Sequence, residues 1–587
     1  MKKLYIIENE DQVKALGKIA FEKNCKIILV SPFPISKLEK LGVRYSTIED
    51  YYEEENLQKE WPVYLKLINK TVEWVDKYFS ERFEIIQKNN IKVGQFSWMY
   101  FYRLFHQILV PIFIVNNVID KEEFETVYLP EIKDVGKKTD VFFESNPMIT
   151  VFNFCLKNKR KEFFNWERSS GRKKDSFNAI NDYFRKIPYV SQHIQSQLQA
   201  IKQKHWPRGG KKLTIAVLNN SEEFWSIRKE LNKKFRIISE NICFRESEPK
   251  PHDVPVDFEI IYTNINMITL IREKLGRYFD KILTDIESQI QYLKDLFETK
   301  KIDFFINCVA NSSFFSNLCL SFAQQNNVVA INLQHGGGYG YVYSPKFHYM
   351  DLNNKLIDSF FAWGEGVKSY CSRYSLDKTQ IVSVGSYRFK RLSQLKTTSN
   401  KVVVYAPTAS RLKYHIRILP HQDYPYFKYS SIQKKIIDAL IKNSGYKVVF
   451  KLYMSDREHD MMGKYIRETY KGYNNYRIDY DTPFRQYLNS GIELAIIDFQ
   501  STALIEALKA SAKVIQYFDE YALKFEPGVK ELLSKCSYCY DTLDDFLIHL
   551  DKYFNNPGAF PPKDNTEFLD LYCKSDSENL VDFFSER

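Results

Sequence analysis

Apolar positions along the chain follow two alternating rhythms. Short, nearly continuous runs rich in Val, Ile and Leu occur at 213–218, 304–309, 328–333, 402–406, 447–452, 494–498 and 514–517. Such runs suit strands buried on both faces of a parallel sheet. Between them lie stretches with apolar residues at helical spacing, predicting helices at 222–234, 268–299, 314–325, 431–443, 456–470, 482–489 and 501–511. Further strands are predicted at 258–262, 360–364, 381–385 and 476–480. Strands alternating with helices give parallel sheets covered by helices on both faces.

The N-terminal part is less regular. Strands at 3–7 and 25–30 flank a helix at 11–23, an opening βαβ unit. Val63, Leu67, Thr71, Trp74 and Tyr78 then mark a helical stretch over 61–88, and a second follows over 96–119. Residues 151–205 are basic, aromatic and poorly periodic, with a loop at 168–174 and a helix at 180–203. The polar, aperiodic 388–401 reads as a link between domains. The predicted organisation is a Rossmann-like domain with helical insertions over 1–390, a second Rossmann-like domain over 401–555, and a tail over 556–587 that crosses back to the first.

Composition adds bounds. At 587 residues the chain is too long for one core, and 44% hydrophobic with 27% charged residues is ordinary for a globular protein. The net charge of +11 is scattered along the chain, which favours acidic small molecules, glycans or an anionic membrane face. No nucleic-acid-binding motif is present, so nucleic acid is not an expected partner. Nine dispersed cysteines and the absence of a signal peptide predict a cytoplasmic protein. The apolar run 96–119 is interrupted by Arg103, His106, Gln107 and Pro111, and is expected as a buried or interfacial helix.

Candidate chemistry sits at strand ends, where open α/β sheets bind ligands. The run at 328–333 leads into Gln334 and His335, then Gly336, Gly337 and Gly338. Three glycines allow either an anion-binding concavity beside the imidazole or a tight turn. Strand 402–406 runs into Thr408 and Arg411, a hydroxyl and a guanidinium suited to phosphate. Lys451 near the end of 447–452 is either a ligand group or a lysine reaching the sheet edge. Asp498 ends another strand, and Ser501 and Thr502 open the helix that follows, with Glu506 a turn further in and reachable by a ribose hydroxyl. A helix N-terminus binds anions through its unpaired N–H groups, although Ser501 could equally be an N-cap. Asp479 and Asp481 have metal-pair spacing but also suit a helix start; Cys536 and Cys539 lack a second pair. No metal site is expected.

Together, QHGGGYG at 334–340, Asp358, AWGEG at 362–366, YAPT at 405–408 and DFQSTALIEAL at 498–508 resemble a bacterial family of surface-polysaccharide transferases found in spirochaetes and other Gram-negative bacteria. SWMYFYRLFHQIL at 97–109 resembles that family's aromatic helix. The family belongs with the capsule Kdo transferases and the CDP-glycerol glycerophosphotransferases. The resemblance implies an α/β GT-B-like fold, two Rossmann-like domains facing a cleft, with extra helices in the N-terminal domain. The acceptor would lie in the first lobe, and a CMP- or CDP-activated donor in the second.

By that resemblance, His335 is the candidate base or phosphate contact. Thr408 matches the PT-loop threonine, and Ser501 and Thr502 match the hydroxyl pair of the phosphate-binding helix. Where the wider superfamily has His-Pro, this chain has Lys451-Leu452-Tyr453, and Lys451 would substitute for the histidine. Gly336, Gly337, Gly338, Thr408, Arg411, Lys451, Ser501 and Thr502 form the expected donor and phosphate set, with Asp498 and Glu506 at ribose or base.

The implied activity is metal-independent transfer of an ulosonic acid, Kdo or a nonulosonate, from a CMP donor to a surface glycan. No cofactor is required beyond the nucleotide-sugar substrate. The partners are that nucleotide sugar and a glycan or lipid-linked oligosaccharide acceptor, with peripheral contact to the inner face of the cytoplasmic membrane. CDP-polyol phosphotransfer and non-catalytic glycan binding are the alternatives.

Overall fold

The computed structural model describes residues 2–17, 22–32, 34–51, 54–130, 147–158, 162–166, 213–218, 221–238, 250, 252, 265–308, 313–342, 355–374, 379–392, 401–408, 426–443, 445–452, 461–519, 523–574 and 583–584. The expected loop 168–174, helix 180–203, strand 258–262 and Arg411 lie outside them.

Among the described residues three parallel sheets are present where two were expected. The first unit carries β1 (Lys3–Ile7), β2 (Cys25–Leu29), β3 (Ser46–Thr47), β4 (Thr126–Pro130) and β5 (Glu162–Trp166), in the order β3-β2-β1-β4-β5. Within 1–390 the described strands thus fall into two sheets where one was expected. Their opening βαβ pair recruits β4 and β5 across a long helical excursion, which local periodicity does not reveal. The first helix is Glu10–Leu16, shorter than predicted: Asn9 caps it in a capping box with Gln12, and Gly17 ends it at φ +50°.

The helix Trp98–Lys121 is long and apolar enough to cross a membrane, but 78% of its most apolar window is buried inside the protein. It packs into the first unit's core against Glu54–Arg82 and joins the middle lobe through Tyr100, stacked 3.6 Å from Tyr278. Its apolar face thus finds its partner within the chain.

The middle lobe holds β6 (Thr214–Leu218), β7 (Arg236–Ile238), β8 (Phe304–Asn307), β9 (Val329–Leu333), β10 (Ser359–Ala362) and β11 (Gln380–Ser383), ordered β11-β10-β9-β8-β6-β7. The third lobe holds β12 (Val402–Ala406), β13 (Lys447–Lys451), β14 (Tyr476–Asp479), β15 (Leu494–Ile497), β16 (Val514–Tyr517) and β17 (Tyr538–Tyr540), ordered β14-β13-β12-β15-β16-β17. Strand order reverses at β12 and β15, the crevice where doubly wound sheets take ligands. Ala406 pairs with Ile497, so Thr408 and Asp498 leave the sheet at the same level.

These two lobes have the GT-B-like two-Rossmann architecture, with the first unit added at the N-terminus. One apolar cluster runs through both, joining Tyr341, Phe360 and Trp363 to Val404, Ile497 and Leu504. The tail closes the arrangement. Gly364 lies so near the chain that a Cβ there would sit 2.2 Å from the Leu571 carbonyl oxygen, and Phe584 packs beside Phe235 and Phe304 of the middle lobe.

The first unit also reaches the third lobe. Glu49 accepts the amides of Phe427 and Lys428, at 2.5 and 2.9 Å, at the start of the helix Tyr426–Lys442. Phe427 itself is buried in the first unit's small core, and Lys464 pairs with Glu10 at 2.7 Å.

Candidate active site

The glycine loop and the helix beginning at Thr502 come from different lobes and meet. Beyond β9, Gln334 is buried and braces the turn: its Nε2 donates to the Gly336 carbonyl at 3.0 Å, and its Oε1 accepts the Trp363 amide at 2.8 Å. Gly337 donates its amide to Thr502 Oγ1 at 3.1 Å. A Cβ at Gly337 would stand 2.7 Å from the backbone of Ser501, so only glycine permits this approach. Gly338, at φ +91°, continues the turn over Gln500.

His335 is half-buried at this junction, with the Tyr339 hydroxyl 3.2 Å from Nδ1. The structure therefore brings together His335, Gly336, Gly337, Gly338, Ser501 and Thr502.

Ser501 does not act as an ordinary cap. It occupies the N-cap position of the helix Thr502–Lys509 with extended backbone, yet its side chain makes no capping hydrogen bond. The first N–H groups of that helix have no intrahelical partner, and the Ser501 hydroxyl is not spent on them. Just before it, Gln500 is 4% exposed and both of its amide atoms lack a hydrogen-bond partner among the described residues. A buried amide with neither atom satisfied is costly, and it lies directly beneath the glycine loop.

The remaining expected residues are placed differently. Asp498 is fully buried and accepts from Tyr405 Oη at 2.6 Å, the Thr408 amide at 2.7 Å and Gln433 Nε2 at 3.1 Å. Burial pushes its carboxyl up, and these donors oppose the shift. It holds the two strand ends together, its oxygens taken by protein donors where a ribose or base contact was expected. Thr408 is thereby pinned at the crevice, its carbonyl taking Gln433 Nε2 at 3.2 Å.

Glu506 is also buried, with Arg388 Nη2 at 2.6 Å from its Oε1, so its expected ribose contact is replaced by an ion pair. Lys451 donates to the carbonyls of Leu452 and Tyr480, at 2.6 and 3.1 Å, one strand away from the crevice. Its ammonium is engaged by backbone carbonyls at the ends of β13 and β14. Arg411 lies outside the described residues.

Asp479 serves the turn before the helix Phe484–Ser490. It accepts the amides of Asp481 and Thr482 at 2.9 Å each and contacts Tyr487 Oη and Arg477. Although burial pushes the other way, the Tyr487 hydroxyl and the Thr482 amide hold its carboxyl well below the usual range. Among the described residues no group of His, Cys, Asp and Glu could hold a metal ion.

Sequence reasoning missed Glu223. It lies in the first turn of the helix Glu222–Lys234 that follows β6, where an acidic residue is unremarkable. The fold buries it, with Ser386 Oγ at 2.7 Å and the Tyr387 amide at 2.9 Å, beside a pocket that Gln334 and Trp363 also line. Burial pushes its carboxyl up to about 7 against these donors and nearby Arg388.

With these contacts in place, the comparison with known families is direct. Residues 146–537 match the model of the LIC12162 family transferase. The chain belongs to that family. The match spans the middle lobe and most of the third, including every half-exposed residue at the junction, and leaves out nearly all of the first unit.

No curated protein matches the chain. Solved structures similar to it include the UDP-GlcNAc 2-epimerase of Methanocaldococcus jannaschii, with 12% identity, TM-score 0.40, and coverage of 64% of this chain and 100% of that one. The Neisseria meningitidis UDP-GlcNAc 2-epimerase bound to UDP-GlcNAc gives the same four values. The lipopolysaccharide outer core galactosyltransferase WaaB gives 14% identity, TM-score 0.34, and coverage of 64% and 100%. The fold of this transferase rests on its own strand order and register.

Proposed function

We propose that this transferase moves an ulosonic acid, Kdo or a nonulosonate, from a CMP donor to a surface-glycan acceptor. One observation carries the reading: an uncapped helix N-terminus at the third lobe's switch point lies against a glycine loop carrying a histidine from the facing lobe. Membership of a transferase family supports the reading, as does the resemblance of the chain's motifs to surface-polysaccharide transferases.

In the reaction, an acceptor hydroxyl attacks the anomeric carbon, the bond from that carbon to the phosphate oxygen breaks, and CMP leaves with the electron pair. Charge growing on the departing phosphate is met by the N–H groups at Ser501 and Thr502, by the Ser501 hydroxyl and by Thr408. These donors are fixed beforehand, so they need little reorganisation as the bond breaks. His335 takes the acceptor proton, its ring held by Tyr339. The third lobe thus takes the donor and the middle lobe the acceptor. The net charge of +11 suits work at the inner face of the cytoplasmic membrane.

The test is thermal stabilisation of the full-length protein by CMP, UMP and GDP. CMP should raise Tm most, and equal indifference to all three would end the proposal. His335→Ala should then abolish transfer while leaving the CMP-induced shift in place.

A further inference from the structure

Glu222, the first residue of the helix Glu222–Lys234, is gripped by two guanidiniums from outside its own helix. Arg388 Nη2 lies 3.0 Å from its Oε2, and Arg485 Nη1 contacts its Oε1. Arg388 sits in the 3-10 turn Arg388–Arg391 where the middle lobe ends, and Arg485 belongs to the helix Phe484–Ser490 of the third lobe. Arg388 is further anchored by buried Glu506, 2.6 Å away.

The four groups divide into two halves. The Arg388 and Glu506 side chains are 19% and 6% exposed, a sheltered pair that stays made. The Arg485 and Glu222 side chains are 38% and 42% exposed, and an ion pair so open to water is held weakly. Glu506 is four residues beyond Thr502 on one helix, so the cluster stands one turn, about 6 Å, along the axis from the tip where the donor phosphate belongs.

We propose that Arg485, backed by Arg388, is the seat for the carboxylate of the donor sugar, and that Glu222 occupies this seat until the sugar displaces it. The inference rests on the reading above. An ulosonic acid bears its carboxylate on the same anomeric carbon that carries the phosphate oxygen, so binding the phosphate at the helix tip delivers a second anion close by. A guanidinium pairs readily with a carboxylate, and the Glu222 carboxylate already bridges the two arginines, one oxygen to each. Glu222 and Glu506 already occupy the two arginines, so an arriving carboxylate must expel one of them. Glu222 is the one that solvent can receive. No bond is made or broken in this exchange. A plain tie between lobes would use the same contacts but would not discriminate between ligands.

The discriminating experiment is calorimetric titration of the full-length protein with CMP, CMP-Kdo and CMP-N-acetylneuraminate. Arg485→Gln should weaken the CMP-sugar acid that wild type binds more tightly by about tenfold, leaving CMP within about twofold. Arg485→Lys, which keeps the charge but loses the fork, should fall between. Glu222→Gln should tighten the same sugar acid and leave CMP unchanged, the opposite sign. Tm of each variant shows that it is folded. Equal losses for CMP and the sugar acid, or none for either, would overturn the seat. If wild type binds CMP but neither sugar acid more tightly than CMP, the seat fails alone; if CMP does not bind, the functional reading fails and takes the seat with it.

Discussion

Gly337 of the middle lobe and Thr502 of the third are joined by one hydrogen bond, amide to hydroxyl at 3.1 Å, and that contact closes the crevice between the lobes. It uses a glycine amide that the sequence offers for anion binding. Of the three consecutive glycines, this one ties lobe to lobe, and the helix tip beside it keeps its own donors.

Replacing Gly337 by Ala should therefore separate the lobes, because the new Cβ meets backbone at 2.7 Å and backbone cannot swing aside. Overpacking of this kind costs about 1–3 kcal/mol. Transfer should fall at least about tenfold, at an energy of about 1.4 kcal/mol per decade. Gly336→Ala is the control: its Cβ would find only ordinary contacts at 3.8 and 3.9 Å, and both Tm and activity should stay near wild type.

Asp498→Asn should behave as a fold variant. The carboxylate is fully buried under several donors, and an amide there turns one acceptor into a clashing donor. A loss of about 1–3 kcal/mol in urea unfolding is expected, with transfer falling in step. A raised KM for the donor at unchanged stability would restore Asp498 to the ligand.

Arg388→Ala should strand the buried Glu506 charge, at a cost of about 3–5 kcal/mol. Adding Glu506→Gln should recover most of it, and a double-mutant cycle in urea measures the coupling. Additive losses would show the pair to be independent.

The raised Glu223 carboxyl makes stability depend on pH. Its value is about 7 in the folded chain and near the ordinary 4.5 when unfolded, so between these pH values the folded state binds more protons. Stability from this group falls as pH rises from about 4.5 to about 7 and levels off above. Glu223→Gln should remove that slope, seen by comparing the Tm of the two proteins across the interval.

The Glu506 case shows how a correct local reading leaves a side chain's partner undetermined. The sequence places it one turn into the phosphate-binding helix, and the structure agrees; what decides its chemistry is Arg388, 118 residues away, arriving 2.6 Å from its carboxylate. Lys451 is similar, since its position at a strand end was legible but its carbonyl partners depend on how β14 lies beside β13. Glu223 gave no signal because an acid in a helix's first turn is ordinary until tertiary packing buries it.

The sequence by itself determined the α/β alternation, the strands β6 and β8 to β16, and the placing of His335, Ser501 and Thr502 at strand or helix ends, because apolar periodicity and glycine or hydroxyl punctuation are properties of neighbouring residues. Only the tertiary structure decided that β4 and β5 join β1 in a sheet of their own, that Gly337 touches Thr502, and that Asp498 and Glu506 are buried. Each of these joins residues far apart in the chain. Their energy comes from burial and pairing formed on closure of long loops, which no window of local pattern contains.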